Sequence, residues 1–123
     1  MEKVRPILPD ALTEGELKEE ELFQNMVLRP VIKMQHDVLI LRVKSYFTSK
    51  RVMFNVMDKQ KRTLAIEQAF LGDNAFKKEI QGMILGQLDT TEYQRYLQNE
   101  RTMNKRIIQI VRNRMLDSVL QLA

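Results

Sequence analysis

A chain of 123 residues, 44% of them hydrophobic and 29% charged, can build one core and leaves little for a second, so a single domain is expected. The longest stretch without a charged side chain, Ile80 to Leu88, is too short to cross a bilayer, and the absence of cysteine excludes disulfides, thiolate metal sites and cysteine nucleophiles. The net charge of +4 conceals a segregation: residues 1–28 hold seven acidic and three basic side chains, Arg42 to Arg62 seven basic ones against Asp58, and Arg95 to Arg114 six against Glu100.

Met1 to Asp10 mixes Glu2, Lys3, Arg5 and Asp10 with Pro6 and Pro9, unlike a secretory leader, so an extended arm over residues 1–12 of a cytoplasmic protein is expected. One helical domain over residues 13–123 follows. Thr13 and Glu16 have the spacing of a capping box and predict a first helix from about Glu14 to Asn25. Pro30 predicts a boundary, with Arg29 extended before it and a second helix from Pro30 to Phe47 after it. Ile32, Leu39, Val43 and Phe47 would share one line of that helix, widened by Val31, Val38 and Leu41. Thr48 and Ser49 offer the next break, and Lys50 to Met57 reads as a short helix or, through Val52, Phe54 and Val56, as a strand. Asp58 is placed to cap a helix ending at Leu71, with Gly72 in the left-handed position that closes helices. Asp73 or Asn74 would cap the next, whose Phe76, Ile80, Met83, Ile84 and Leu88 recur at helical spacing.

Asp89 with Glu92 makes a second capping box and opens a last helix predicted to reach about Leu120. Tyr93, Tyr96, Leu97, Met103, Ile107, Ile110, Val111, Met115, Val119 and Leu122 follow its period. At 1.5 Å per residue it would span about 45 Å, so it either kinks near Asn99 or offers one end to a partner. No glycine or proline stands between Pro30 and Gly72 or after Gly86, and Asn-Gly and Asp-Gly hairpin signals are absent. The expected fold is therefore all-α: a compact bundle of four to five helices with a long C-terminal helix and the acidic arm laid along it.

Few residues carry chemistry. His36 and Asp37 are neighbours and would point about 100° apart on a helix, so they cannot address one reacting atom. Asp37 has the spacing of an ion pair with Lys33, and His36 is expected to border the core with one ring nitrogen hydrogen-bonded. One imidazole and scattered carboxylates do not make a metal site, and Glu19, Glu20 and Glu21 lack the alternating donors of a calcium loop. The glycines stand apart from any phosphate-binding loop, and Ser45, Ser49 and Ser118 have no nucleophile elbow. No catalytic, cofactor-binding or metal-ligating residue is assigned. A non-catalytic helical interaction protein is expected, self-associating as a homodimer or meeting another protein.

Gly82 and Gly86, four apart in an apolar helix, imply close approach of another backbone, either within the monomer or at a dimer seam. Met115, Val119 and Leu122 would extend past the monomer's core and offer a C-terminal dimer contact. The alternative partner is nucleic acid, through Arg101, Lys105, Arg106, Arg112 and Arg114 of the last helix.

Leu28-Arg29-Pro30, Ile32-Lys33 and Gln35-His36-Asp37, followed by Gly86-Gln87, Glu92-Tyr93, Tyr96, Asn104-Lys105-Arg106 and Val111-Arg112, resemble a family of small helical bacterial proteins without an assigned activity. Some members carry the label "glyoxalase", and the resemblance covers roughly Leu22 to Asp117. That label implies metal-dependent glyoxalase activity as a second alternative. Glyoxalase I enzymes are paired β-rich modules with His and Glu ligands, and the hydrolase that follows them uses a multi-histidine motif. No residue of this chain matches either pattern, so no catalytic role carries over.

Overall fold

The structure, a computed structural model, describes Arg5 and residues 19–123. The Thr13–Glu16 capping box and the start of the first helix lie outside the described residues. Helix α1 (Glu19–Phe23) runs through a π turn (Gln24–Leu28) into α2 (Arg29–Met34). Pro30 is therefore not the expected boundary. Arg29 is helical, with φ −61° and ψ −46°, and its N–H bonds the carbonyl of Gln24, five residues back. In a regular helix the proline ring collides with the carbonyl four residues earlier; the widened turn relieves that collision and keeps the chain helical. The bend comes instead at Gln35 (φ −88°, ψ 7°), from which α3 (His36–Ser49) departs. No ion pair joins Lys33 to Asp37, because this bend falls between them.

Leu39, Ile40, Val43 and Phe47 bury one arc of α3, whereas Val38 and Leu41, expected to widen it, fall outside the arc and are exposed. The helix ends with Arg51 at positive φ, Val52 N–H reaching Phe47 O at 2.9 Å and Arg51 N–H reaching Thr48 O at 3.0 Å. This is a Schellman closure. Lys50 to Met57 is consequently neither helix nor strand but an irregular passage holding one 3-10 turn (Phe54–Val56). Phe54 anchors it by stacking on Phe47 at 4.8 Å, and Arg62 Nε holds the Phe54 carbonyl at 2.7 Å.

Asp58 accepts the Lys61 N–H at 2.8 Å and caps α4 (Lys59–Gly72). Gly72 remains inside that helix rather than closing it in a left-handed conformation. Asp73 ends α4 and its carboxylate caps α5 (Asn74–Leu85) through the Phe76 N–H, so one residue turns the corner. The Asp89–Glu92 capping box forms in full at the start of α6 (Thr90–Gln98). The long helix then breaks at Asn99 (φ −136°, ψ 40°), giving α7 (Glu100–Asp117) and a closing 3-10 turn (Val119–Leu122).

Met103, Ile107, Val111 and Met115 form the buried line of α7, which packs on α4 and α5 and also meets α2 and the π turn. The assembly is all-α, and among the described residues no helix is long and apolar enough to cross a membrane. Gln35, buried at the α2–α3 bend, donates from Nε2 to the Met83 carbonyl of α5 at 3.2 Å. Gln87 N–H turns to Ile84 O, so Met83 O is one of the carbonyls a helix end leaves without a backbone donor.

Candidate functional site

Folding distributes the cations of α7 over different faces. Arg101, Lys105 and Arg112 follow a spacing of four and seven with Ile108 between them, and they line an open groove of about 1070 Å³. The opposite wall is α5, which contributes Lys77, Lys78 and Gln81; Leu71 and Ile108 supply apolar surface, with the largely buried Phe70 behind them. Phe70 is anchored in the core by edge contact with Phe76, while Leu71, next to it, is 80% exposed at the groove.

The electrostatics of the groove are one-sided. Lys77 Nζ is engaged with the Leu71 carbonyl at 3.2 Å, but Lys78, Arg101 and Lys105 have no carboxylate partner among the described residues. Among the described residues, Glu100 is the only acidic side chain in the lining. Arg112 touches Asn113 Oδ1 at 3.3 Å, and its buried Nε has no hydrogen-bond partner among the described residues. Asn104, between the cations, is held by the Tyr96 hydroxyl at 2.8 Å, a phenol whose pKa is pushed above its ordinary value chiefly by burial.

The other two expected cations are elsewhere. Arg106 donates to Gln24 Oε1 at 2.6 Å and lies 3.7 Å from Glu20, fastening α7 to the N-terminal helix. Arg114 donates from Nε to His36 Nδ1 at 2.9 Å. His36 thus has both ring nitrogens engaged, since Nε2 meets Gln121 Oε1 at 2.9 Å, where one had been expected.

The glycines correct the alternative of close packing within the monomer, and the C-terminal apolar residues correct the expectation that they extend past its core. Gly82 and Gly86 are exposed; a Cβ on Gly82 would meet nothing within 4 Å, and one on Gly86 only the Gly82 carbonyl. Among the described residues no neighbouring element approaches them closely. Met115, Val119 and Leu122 are enclosed in the chain's own core, because the break at Asn99 and the closing 3-10 turn keep the C-terminus folded back on α3 and α4. Lys77 and Lys78 were missed by sequence reasoning. Their signal was present: they follow Phe76 at the edge of the buried line Phe76–Ile80–Ile84.

Among the described residues no three His, Asp or Glu side chains converge as a metal-holding group. Comparison with known proteins found no matching family model, curated protein or solved structure.

Proposed function

We propose that this chain is a non-catalytic helical interaction protein whose α5–α7 groove seats an acidic, amphipathic helix of a partner protein. The observation that carries this is apolar surface from Leu71 and Ile108 in a groove lined by five cations without a carboxylate partner among the described residues: Lys78, Arg101 and Lys105 make no hydrogen bond or ion pair, and Lys77 and Arg112 have only neutral partners. From Arg101 to Arg112 the α7 wall extends about 16 Å, which matches roughly three turns of a docked helix. Recognition by a helix laid in a groove uses such a division: apolar anchors supply affinity, and flanking charges set orientation and suppress wrong partners.

The test is a photo-crosslinking amino acid placed at Leu71 in cells of the source organism. The expected adduct is a protein segment rich in Asp and Glu at helical spacing, lost when Lys78→Glu and Lys105→Glu are introduced together. Adducts that survive this charge reversal, or none at all, overturn the assignment.

Nucleic acid is the second reading. The break at Asn99 favours it, because Arg101 now stands in the first turn of α7 rather than more than a turn inside a longer helix. A nucleotide adduct at Leu71 would select it.

A further inference from the structure

A second cavity, of about 540 Å³, opens beside α7 where the starts of α2 and α3 meet the closing 3-10 turn. Its size falls within the range of small-molecule sites. Among the described residues, Gln109 is the only one shared with the basic groove. Two arginines line it, and both are held in the same manner. Arg114 donates from Nε to His36 Nδ1 at 2.9 Å, and Arg29 donates from Nε to Asn25 Oδ1 at 3.1 Å. The terminal nitrogens of both guanidinium groups have no partner among the described residues.

The Arg114 contact also fixes the imidazole. Because Nδ1 accepts from arginine, the ring proton of neutral His36 lies on Nε2, where it donates to Gln121 Oε1 at 2.9 Å. His36 therefore orients the Arg114 fork instead of facing a ligand with a proton of its own. Among the described residues, Asp117 is the only carboxylate in the lining and has no cationic partner.

We propose that this cavity is a binding site for a small metabolite carrying a carboxylate or phosphate at one end and an amine at the other. The oxyanion pairs with the free edges of Arg29 and Arg114, since planar guanidinium groups match two oxygens at once in a way that lysine does not. The amine is received by Asp117. His36 is a positioning residue that acts through Arg114.

O-phospho-L-serine, which carries all these groups, is the probe, with inorganic phosphate as the oxyanion alone. The readout is the set of arginine Nε–Hε resonances of the isotope-labelled protein. Saturable shifts of the Arg29 and Arg114 signals are expected with both, tighter for phosphoserine. Arg114→Lys should weaken both at least tenfold, and Asp117→Asn should abolish the preference for phosphoserine. His36→Asn, which keeps an acceptor near the Nδ1 position, should retain binding that His36→Leu loses, with circular dichroism confirming that each variant is folded. Absence of saturable shifts, or binding indifferent to Arg114→Lys, overturns the site. Lys78→Glu with Lys105→Glu should leave phosphoserine binding unchanged, so failure here is separable from failure of the groove.

Discussion

Arg51 is the only described non-glycine residue with positive φ, at 58°. The Schellman closure of α3 requires that conformation, and an L side chain adopts it at a cost of about 1 kcal/mol that glycine avoids. Arg51→Gly should therefore raise the unfolding free energy by up to about 1 kcal/mol in a denaturant titration; a decrease would show that the arginine side chain makes a stabilising contact of its own. Gln35 should respond in the opposite direction. Replacing it by Leu removes the donor to the Met83 carbonyl and leaves a helix-end acceptor buried, at a cost of about 1–3 kcal/mol. A neutral result would mean that water reaches that carbonyl. Tyr46 links α3 to the α4–α5 corner: its hydroxyl donates to Asp73 at 2.7 Å while its ring stacks on Phe76 at 4.0 Å. Burial first, then the bond to Asp73 and the charge of that carboxylate, raise the Tyr46 pKa from 10.0 to about 12. The native state thus favours the neutral phenol. Its contribution is complete around neutral pH and is lost as pH rises from 10 to about 12, so the stability difference between the protein and Tyr46→Phe should hold constant from neutral pH to pH 10 and shrink above it.

Among the elements, α7 decides the stability of the whole, because α4, α5, α2 and the π turn all rest on it. Ile107 is fully buried at its middle and Val119 is 7% exposed just beyond its end. An aspartate at either place buries a charge with no partner, a cost of several kcal/mol against the roughly 5–15 kcal/mol that holds a domain together. Both Ile107→Asp and Val119→Asp should lose the cooperative melt seen by circular dichroism; a Val119→Asp protein with an unchanged melt would place the C-terminal turn outside the core. The caps at Asp58 and Asp89, and the cap of α5 to within Asp73 or Asn74, were legible because capping is settled within three residues of the chain. Pro30 was misread because its rule concerns a regular helix, and the π turn changes the hydrogen-bond register just before it. Of the groove, the α7 cations were legible as a stripe, but Lys77 and Lys78 joined them only through the packing of α5 on α7. The His36–Arg114 contact spans 78 residues, and no local pattern encodes it.

At the scale of the molecule, the described cations divide between internal pairing and the open groove. Part of the basic population is neutralised internally: Arg106 by Glu20, Arg42 by Glu79 and Arg5 by Glu92, each joining elements distant in sequence. The cations left over in the groove set how strongly a polyanion can be held. If duplex DNA occupies it through Lys78, Arg101 and Lys105, three phosphates are neutralised, and the logarithm of affinity should fall with the logarithm of salt concentration at a slope of about −3. So few contacts give weak binding at physiological salt. Fluorescence anisotropy with a labelled duplex at several salt concentrations measures this slope, and Lys78→Glu with Arg101→Glu and Lys105→Glu should remove it. An acidic helix seated on Leu71 and Ile108 would instead keep part of its affinity as salt rises, because burial of apolar surface is not screened. Tight, sequence-selective DNA binding at physiological salt would therefore displace the protein partner from the groove in favour of nucleic acid.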